Sequence, residues 1–261
     1  MSVPFGVSAA GPHRPQLAPG DVLAARFTIV RFLAHGGMGE VYEASDGHLQ
    51  GQRLALKTLR PEIGGSPAAR QRFEREVLMA REVHHPNVCP TYDIFRESSP
   101  RGEFLFLTMK LLPGEPLSAR LARLGRMTPD AAMPMVRQMA AGLDAAHRAG
   151  IVHRDFKPGN VMVDFSAGRL QVSITDFGLS RSDELDSSLT VTGHVYGTAG
   201  YIAPEIFAGQ PPSPASDVYA FGVVLYETIA GVRPSTVGRG IAPPSALAPG
   251  LPKVWDRVVL R

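Results

Sequence analysis

Apolar and polar positions alternate along the first part of the chain with the period of β-strands. Short runs rich in β-branched, aromatic and aliphatic residues are separated by glycine-rich and Asp-Gly breaks, a pattern typical of an antiparallel meander. These runs predict strands over residues 26–33, 40–44, 53–59 and 104–109. The first twenty residues carry proline and glycine with little periodicity, so we expect residues 1–20 to form a flexible leader.

Helical spacing of apolar residues occurs once in this first part and dominates the second. The predicted helices cover residues 67–82, 128–150 and 217–231. In the first of them Phe73, Val77 and Ala80 fall at i, i+4 and i+7, after a Ser-Pro start signal. Pro134 lies inside the second pattern and predicts either a kink or a later start.

Composition and charge narrow the class of protein. Hydrophobic residues make up 44% of the chain and charged residues 20%, which is typical of a globular protein and excludes a wholly disordered or collagen-like chain. A single cysteine, Cys89, excludes an internal disulfide framework and a cysteine-based zinc site. The net charge of +3 comes from scattered residues, so we expect no nucleic-acid partner. No apolar stretch has the length of a membrane span, so we expect a cytoplasmic protein without a membrane segment.

A glycine-rich segment, Ala34-His35-Gly36-Gly37-Met38-Gly39, separates the first two predicted strands. Glycines between strands most often only form a turn. A dinucleotide-binding fingerprint requires a helix directly after the glycines, whereas Glu40-Val41-Tyr42-Glu43 has the pattern of a strand. A Walker sequence is also absent. The context therefore favours a flap whose backbone N–H groups lie over phosphates.

Lys57 lies near the end of the third predicted strand, and alternation places it on the same side as Ala55. A small apolar residue beside an ammonium group suits a purine ring next to its phosphates. For these residues alone, a solvated strand lysine is the simpler interpretation. A functional lysine here needs a carboxylate to hold it, and the predicted helix offers Glu74 and Glu76. Glu76 is the better candidate because it lies next to the apolar face.

The strongest chemical signal is the run His153-Arg154-Asp155-Phe156-Lys157-Pro158-Gly159-Asn160. Further along the chain follow Asp176-Phe177-Gly178 and Ala203-Pro204-Glu205. Six specified positions in the first run make a chance match rare. With these motifs the chain resembles protein kinases, and specifically the bacterial, eukaryotic-like (Hanks-type) serine/threonine protein kinases. The resemblance covers about residues 22–261.

This resemblance implies a role for each matching position in the catalytic segment. Asp155 would accept or orient the proton of the attacking hydroxyl group. Lys157 would place a positive charge beside the transferred phosphoryl group. Asn160 and Asp176 would hold Mg²⁺ through oxygen atoms. The pattern Asp-x-Lys-Pro-x-Asn resembles serine/threonine kinases rather than tyrosine kinases.

The same resemblance implies that ATP is bound by the glycine flap, the strand lysine and an apolar slot. Lys57, paired with Glu76, would hold the α- and β-phosphates. The backbone from Lys110 to Leu112 would hydrogen-bond the base, although most relatives carry an acidic residue where Lys110 stands. The residues expected to contact the nucleotide are Leu33, Gly36, Gly37, Gly39, Val41, Ala55, Lys57, Met109, Lys110, Leu112, Met162 and Asp176.

Hydroxyl side chains between the last two motifs suggest regulation by phosphorylation. The candidates are Ser187, Ser188, Thr190 and Thr192. In relatives, an arginine in the place of Arg154 pairs with a phosphorylated residue of this loop. We expect autophosphorylation at Thr190 and Thr192, for which a dimer would permit reaction in trans. Thr198 is expected to bond the catalytic residues and to shape the pocket for the acceptor hydroxyl.

Two features of the second part leave alternatives open. Asp217 is either a helix cap or, as the resemblance implies, a tether for the backbone of the catalytic segment. Residues 234–252 are rich in proline and glycine, and the chain ends within a predicted helix, so we expect an incomplete C-lobe with an exposed apolar face. A catalytically weak nucleotide-binding scaffold is therefore the alternative to an active kinase. A small-molecule phosphotransferase is disfavoured by Ala203-Pro204-Glu205.

The 261 residues are thus expected to adopt an α+β, bilobal protein kinase-like fold. Residues 21–112 would form an ATP-binding N-lobe with a small antiparallel β-sheet and one helix. Residues 113–261 would form a mainly α-helical, catalytic C-lobe that is incomplete at its C-terminus. The expected reaction transfers the γ-phosphoryl group of ATP to Ser and Thr hydroxyls of protein substrates.

Overall fold

The computed structural model contains two compact units. The first is a six-stranded antiparallel sheet with one helix, and the second is mainly helical. The structure describes residues 14–36, 39–59, 67–99, 102–166, 168–177, 199–235 and 240–260. The first unit extends to His84 and resumes over Cys89–Leu112, and the second comprises His85–Val88 and the chain from Pro113 onward. Residues 85–88 therefore differ from the expectation that all of 21–112 lies in one lobe.

The sheet of the first unit follows the predicted meander, with two additions. Its strands are β1 (Val22–Leu23), β2 (Phe27–Gly36), β3 (Gly39–Asp46), β4 (Gln52–Thr58), β5 (Thr91–Ser99) and β6 (Gly102–Met109). They lie in the order β1-β2-β3-β4-β6-β5 and pair antiparallel. The apolar pattern did not predict the edge strand β5, because Asp93, Arg96 and Glu97 interrupt its alternation and an edge strand tolerates polar residues.

One face of this sheet forms the core of the first unit. The buried residues of that core are Leu23, Phe27, Ile29, Tyr42, Ala44, Leu54, Leu56 and Phe106. The helix α1 (Pro67–Arg81) packs beside β5 and buries Phe73, Val77 and Ala80, as its apolar spacing predicted.

Residues 14–20 do not form the flexible segment that their composition predicts. Leu17 packs against the sheet core, and the Gly20 N–H donates to the Ile29 carbonyl at 2.8 Å. Composition missed this because the segment gains its order from hydrogen bonds to distant strands, which proline and glycine content does not reveal. Residues 1–13 lie outside the described part of the chain.

The second unit combines helices with a small three-stranded sheet. Its helices are α2 (Leu117–Leu124), α3 (Pro129–Arg148), α4 (Pro204–Phe207), α5 (Pro214–Ala230), α6 (Pro244–Leu247) and α7 (Val254–Val259). The sheet consists of β7 (Glu115–Pro116), β8 (Val161–Asp164) and β9 (Gln171–Ile174), paired antiparallel. No helix among the described residues is both long and apolar enough to cross a lipid bilayer.

The two long helices of this unit begin at capping residues. Thr128 accepts the Ala131 N–H at 3.4 Å, so α3 starts at Pro129 and the later start suggested by Pro134 is wrong. Ser213 forms a capping box with Ser216 at the start of α5. The interpretation of Asp217 as the helix cap is therefore wrong.

The C-terminal helix contributes to the core of the second unit. Trp255 of α7 is buried in a cluster with Ala132, Leu225, Ile229, Ala248 and Leu251. Val254, Val258 and Leu260 of the same segment are exposed.

Candidate active site

The glycine-rich segment lies between β2 and β3, an antiparallel hairpin in which Gly36 pairs with Gly39. Gly39 has a backbone φ of 149°, and a Cβ atom added there would lie 1.8 Å from the Thr58 carbonyl oxygen. Only glycine allows this close approach between β3 and β4. Gly37 and Met38 lie outside the described residues.

Four of the residues expected to contact ATP lie on one face of the first sheet. In the strand register Val41 lies opposite Lys57, and Ala55 lies opposite Met109. Because side chains alternate along a strand, Ala55 and Lys57 share a face, and their cross-strand partners share it too. This face is opposite to the one that carries the core residues Leu54 and Leu56.

The side chains of this face are largely withdrawn from solvent. Ala55, Lys57 and Met109 are 5%, 4% and 8% exposed, and Leu33 and Val41 are half-buried. A buried ammonium group requires compensating partners. Lys57 and Glu76 are both engaged by neighbouring groups, and Glu76 is half-buried on α1. Their pairing with each other stays a prediction.

Both peptide groups of Lys110, in the segment after β6, already have hydrogen-bond partners within the protein. The Lys110 N–H donates to the Pro90 carbonyl at 2.9 Å, and the Cys89 thiol lies 3.6 Å from the Lys110 carbonyl oxygen. The Lys110 N–H is therefore not available to a base, whereas the Lys110 carbonyl keeps one acceptor position beside the weak thiol donor. The hydrogen bonds of Lys110 to Leu112 with a base stay a prediction. Most relatives have an acidic residue at the position of Lys110. Because the Lys110 side chain is exposed, this difference leaves the backbone hydrogen bonds unaffected.

In the second unit three predicted catalytic residues form one cluster. The Lys157 ammonium donates to Asp155 Oδ2 at 2.6 Å. The Asn160 amide nitrogen donates to the Asp155 carbonyl at 2.9 Å and to Asp155 Oδ2 at 3.3 Å. The carboxylate is thus held in a fixed orientation by a cation and an amide, which suits a group that must meet an incoming hydroxyl.

His153 contacts the backbone of this cluster and is fully buried. Its Nδ1 accepts the Asp155 N–H at 3.3 Å, so Nε2 carries the proton and donates to the Thr175 carbonyl at 2.9 Å. Burial lowers the pKa of His153 and keeps the ring neutral. The rings of Phe156 and Phe177 pack against it at 5.5 and 4.7 Å.

Asp217 of α5 holds the backbone that leads into the cluster. Its carboxylate accepts the N–H groups of His153 and Arg154 at 2.7 and 2.9 Å, and it also contacts His147 Nε2 at 2.8 Å. This is the tether that the family resemblance implied. Sequence reasoning missed His147, although its place on the apolar face of α3 next to a buried acid is a usable signal.

Two residues of the site have backbone conformations that are unusual for non-glycine residues. Arg154 has a φ of 69° and Asp176 a φ of 65°. Such left-handed residues carry a cost of about 1–3 kcal/mol each and are frequent at functional sites. Thr175, directly before Asp176, is fixed by a hydrogen bond from its N–H to the Asn160 carbonyl at 2.9 Å.

The donors near this segment suit a magnesium ion. The Asn160 amide nitrogen is occupied by Asp155, so its amide oxygen points away from that residue. Asp176 adds a half-buried carboxylate, and Mg²⁺ prefers such hard oxygen ligands in small number. Met162, expected in the nucleotide slot, is half-buried in β8.

A pocket in the second unit adjoins Asp155. Its remaining lining residues are Arg154, Phe156, Tyr201, Ile202, Ala203, Ile206, Pro212, Ser216, Asp217 and Ala220. At its rim the Tyr201 hydroxyl donates to Glu227 at 2.5 Å, and the Arg233 guanidinium lies 5.6 Å from the Tyr201 ring centre. Burial and this hydrogen bond raise the pKa of Tyr201 above its ordinary value. Sequence reasoning missed Tyr201, Glu227 and Arg233. The available signal was Glu227, an acidic residue in the otherwise apolar helix α5.

Several predicted residues cannot be placed. Gly178, the four candidate phosphorylation sites and Thr198 lie outside the described residues.

Comparison with known proteins identifies relatives over most of the chain. The sequence profile of the protein kinase domain matches residues 27–242. The chain is 41% identical over 243 residues to the serine/threonine-protein kinase PknA of Mycobacterium tuberculosis. The aligned region covers 89% of this chain and 55% of the relative. It is 35% identical over 249 residues to the serine/threonine-protein kinase PknH of Mycobacterium bovis, covering 90% of this chain and 40% of the relative. The chain thus spans about half the length of these curated relatives.

The fold agrees with that of a solved kinase domain from Mycobacterium tuberculosis. The kinase domain of Mycobacterium tuberculosis PknI superposes with a TM-score of 0.74 at 28% sequence identity. The match covers 94% of this chain and 90% of that domain.

Proposed function

Since this chain belongs to the protein kinase family, we propose that it is a serine/threonine protein kinase that transfers the γ-phosphoryl group of ATP to hydroxyl groups of proteins. The observation that carries this proposal is the cluster of Asp155, Lys157 and Asn160, whose hydrogen bonds hold the Asp155 carboxylate in place. The relatives' names support the choice of serine and threonine as acceptors.

In the proposed reaction Asp155 orients the acceptor hydroxyl and takes its proton while the oxygen attacks the γ-phosphorus. The bond between this phosphorus and the β,γ-bridging oxygen breaks, and ADP leaves. Lys157 places its positive charge beside the transferred group, whose negative charge is spread over three oxygens. The catalytic task of the protein is therefore mainly positioning and charge stabilisation.

Protein kinases as a family use ATP together with a divalent metal ion. We assign Mg²⁺ to Asn160 and Asp176, where the bound ion would neutralise phosphate charge. The first sheet would supply the nucleotide contacts through Gly39, Lys57 and the apolar residues on the same face.

We also propose that Thr190 and Thr192 are autophosphorylated, that a dimer permits this reaction in trans, and that the domain acts in the cytoplasm, where ATP and protein substrates are available. Arg154 supports the first of these points, because it directly precedes Asp155 and is held by Asp217. The alternative of a nucleotide-binding scaffold is not favoured, because the catalytic motif residues of an active kinase are all present, namely Lys57, Glu76, Asp155, Asn160 and Asp176.

Phosphate transfer from labelled ATP tests the proposed function. The wild-type protein with Mg²⁺ is expected to label itself and a generic basic protein on serine or threonine. Asp155→Asn keeps the size of the side chain but removes its basicity, so transfer should fall by about 10²–10⁴-fold while ATP binding persists. Binding of ATP by the wild type without any transfer would contradict the kinase proposal and favour the scaffold.

The same reaction mixtures also test the regulatory site. Intact mass and peptide mapping should show added phosphate at Thr190 and Thr192 after incubation with Mg-ATP. Mixing wild type with a distinguishable Asp155→Asn protein separates reaction in trans from reaction in cis, because only the former labels the inactive partner.

A further inference from the structure

Residues 14–20, called the strap below, pack on the core face of the first sheet, opposite to the face that carries Ala55 and Lys57. We propose that the strap positions Gly39 and Lys57 for the nucleotide and that Glu40 is the positioning residue through which it acts. The inference rests on the ATP-binding function proposed above and adds a determinant that the kinase motifs do not contain.

The first step of this link is a buried carboxylate. Glu40 follows the last glycine of the hairpin and is only 3% exposed. The Gln16 N–H of the strap donates to Glu40 Oε2 at 3.0 Å, and the Tyr42 hydroxyl donates to the same oxygen. The Leu17 N–H in turn donates to the Tyr42 hydroxyl at 3.1 Å. Because a buried carboxylate requires hydrogen-bond donors, the strap stabilises this position of Glu40.

The second step joins Glu40 to the strand that carries the lysine. The Glu40 N–H donates to Thr58 Oγ1 at 3.2 Å, and the Thr58 hydroxyl lies 3.4 Å from the Glu40 carbonyl oxygen. Thr58 is 2% exposed and directly follows Lys57. Gly39 presses against the Thr58 carbonyl, as described above. The end of the glycine hairpin and the lysine are therefore held by the same residue pair.

The strap itself is fixed independently of Glu40. Leu17 packs on the sheet core, the Ala18 N–H donates to Asp21 at 2.8 Å, and Gly20 bonds to Ile29. These contacts hold the strap on the sheet without involving the Glu40 carboxylate. Because Glu40 acts on neighbouring residues rather than on the nucleotide, its loss should weaken ATP binding without changing the phosphoryl-transfer step.

Two matched pairs of variants test the inference in the whole chain. Gln16→Pro removes the donating N–H, whereas Gln16→Ala keeps it. Thr58→Val removes the hydroxyl at constant shape, whereas Thr58→Ser restores it. Gln16→Pro and Thr58→Val are expected to raise the KM for ATP about three- to tenfold, the scale of one hydrogen bond to a charged or buried group. The kcat and the KM for the protein substrate should stay within about twofold, Gln16→Ala should match wild type, and Thr58→Ser should recover most of the loss.

Different outcomes separate this inference from the proposed function. If wild type shows no Mg-ATP binding in a thermal shift titration, the proposed function fails. If wild type binds ATP and both Gln16→Pro and Thr58→Val retain its KM, the strap inference alone is overturned. The inference is also overturned if a variant lowers kcat together with kcat/KM for ATP and kcat/KM for the protein substrate. Such a result indicates general loss of structure.

Hydrogen exchange provides a second readout where Gln16→Pro folds poorly. Peptides that cover residues 39–46 and 52–58 should exchange faster in Thr58→Val than in Thr58→Ser, with the strap sequence intact in both. Equal exchange in this pair would contradict the inference.

Discussion

At the scale of single residues, His153 shows how the catalytic segment fixes one protonation state. Its Nδ1 accepts the Asp155 N–H and its Nε2 donates to the Thr175 carbonyl, so a second ring proton would break the first of these hydrogen bonds. Burial also lowers the pKa of the ring below its ordinary value. The structure around Asp155 is therefore built on a neutral imidazole.

We predict that the free energy of unfolding decreases as the pH falls below about 6.5, the ordinary pKa of histidine. Below that pH the unfolded state takes up a proton at His153, whereas the folded state with its lowered pKa does not. The slope contributed by this group approaches one proton, or about 1.4 kcal/mol per pH unit. Urea unfolding of wild type and His153→Tyr between about pH 7.5 and pH 5 measures it. Equal pH dependence in the two proteins would contradict the assignment.

At the scale of elements, the glycine hairpin between β2 and β3 contains two described glycines in different surroundings. Gly39 has a positive φ of 149° and no room for a Cβ atom beside Thr58, whereas a Cβ atom at Gly36 would meet nothing within 4 Å. The motif spacing treats both glycines alike, but the packing requires a glycine only at Gly39.

Alanine at these two positions should therefore have different effects on stability. Gly39→Ala forces β3 away from β4 and is expected to lower the free energy of unfolding by about 2–4 kcal/mol, the range for overpacked buried sites. Gly36→Ala should change it by less than about 1 kcal/mol. Denaturant unfolding of both variants provides the comparison, and similar losses would show that the contact with Thr58 is not the cause.

Sequence patterns predicted the elements whose order is local and missed those that depend on distant partners. The strands around Lys57 and the face of α1 with Phe73 and Val77 follow from alternation and helical spacing. By contrast, β5 has a polar pattern and gains its order by pairing with β6. In the site, the contact of Asp155 with Lys157 was likewise predictable, because the two residues are neighbours in sequence.

At the scale of the whole molecule, residues assigned to Mg-ATP occur in both compact units, with Lys57 in the first and Asp176 in the second. A ligand that binds only the folded chain stabilises it by mass action. We predict that Mg-ATP at about 100 times its Kd adds about 2.7 kcal/mol to the free energy of unfolding.

Removal of the metal ion should abolish most of this gain, because the phosphates then meet Asp176 without a neutralising cation. Thermal unfolding with ATP in the presence of Mg²⁺ or of a chelator measures the difference. Lys57→Met should lose the stabilisation, and Asp155→Asn should retain it. An equal gain with the chelator would contradict the magnesium assignment.

Long-range pairs were beyond the reach of a single sequence at this scale. The contact of Tyr201 with Glu227 joins residues 26 positions apart, and that of Gln16 with Glu40 joins residues 24 positions apart. Neither pair belongs to a motif, and hydrogen bonds of this kind depend on how the elements pack. Asp217 was placed correctly only through the family resemblance, since its local position suggested a cap.

The left-handed backbone at Arg154 and Asp176 sets a limit on how this protein can be engineered. Glycine at either position would adopt the same φ at lower cost, so selection for thermostability alone favours the replacement. The replacement would also delete the guanidinium or the carboxylate assigned to regulation and metal binding. Libraries selected for heat resistance without a transfer assay are therefore expected to accumulate variants at these two positions that have lost regulation or phosphoryl transfer.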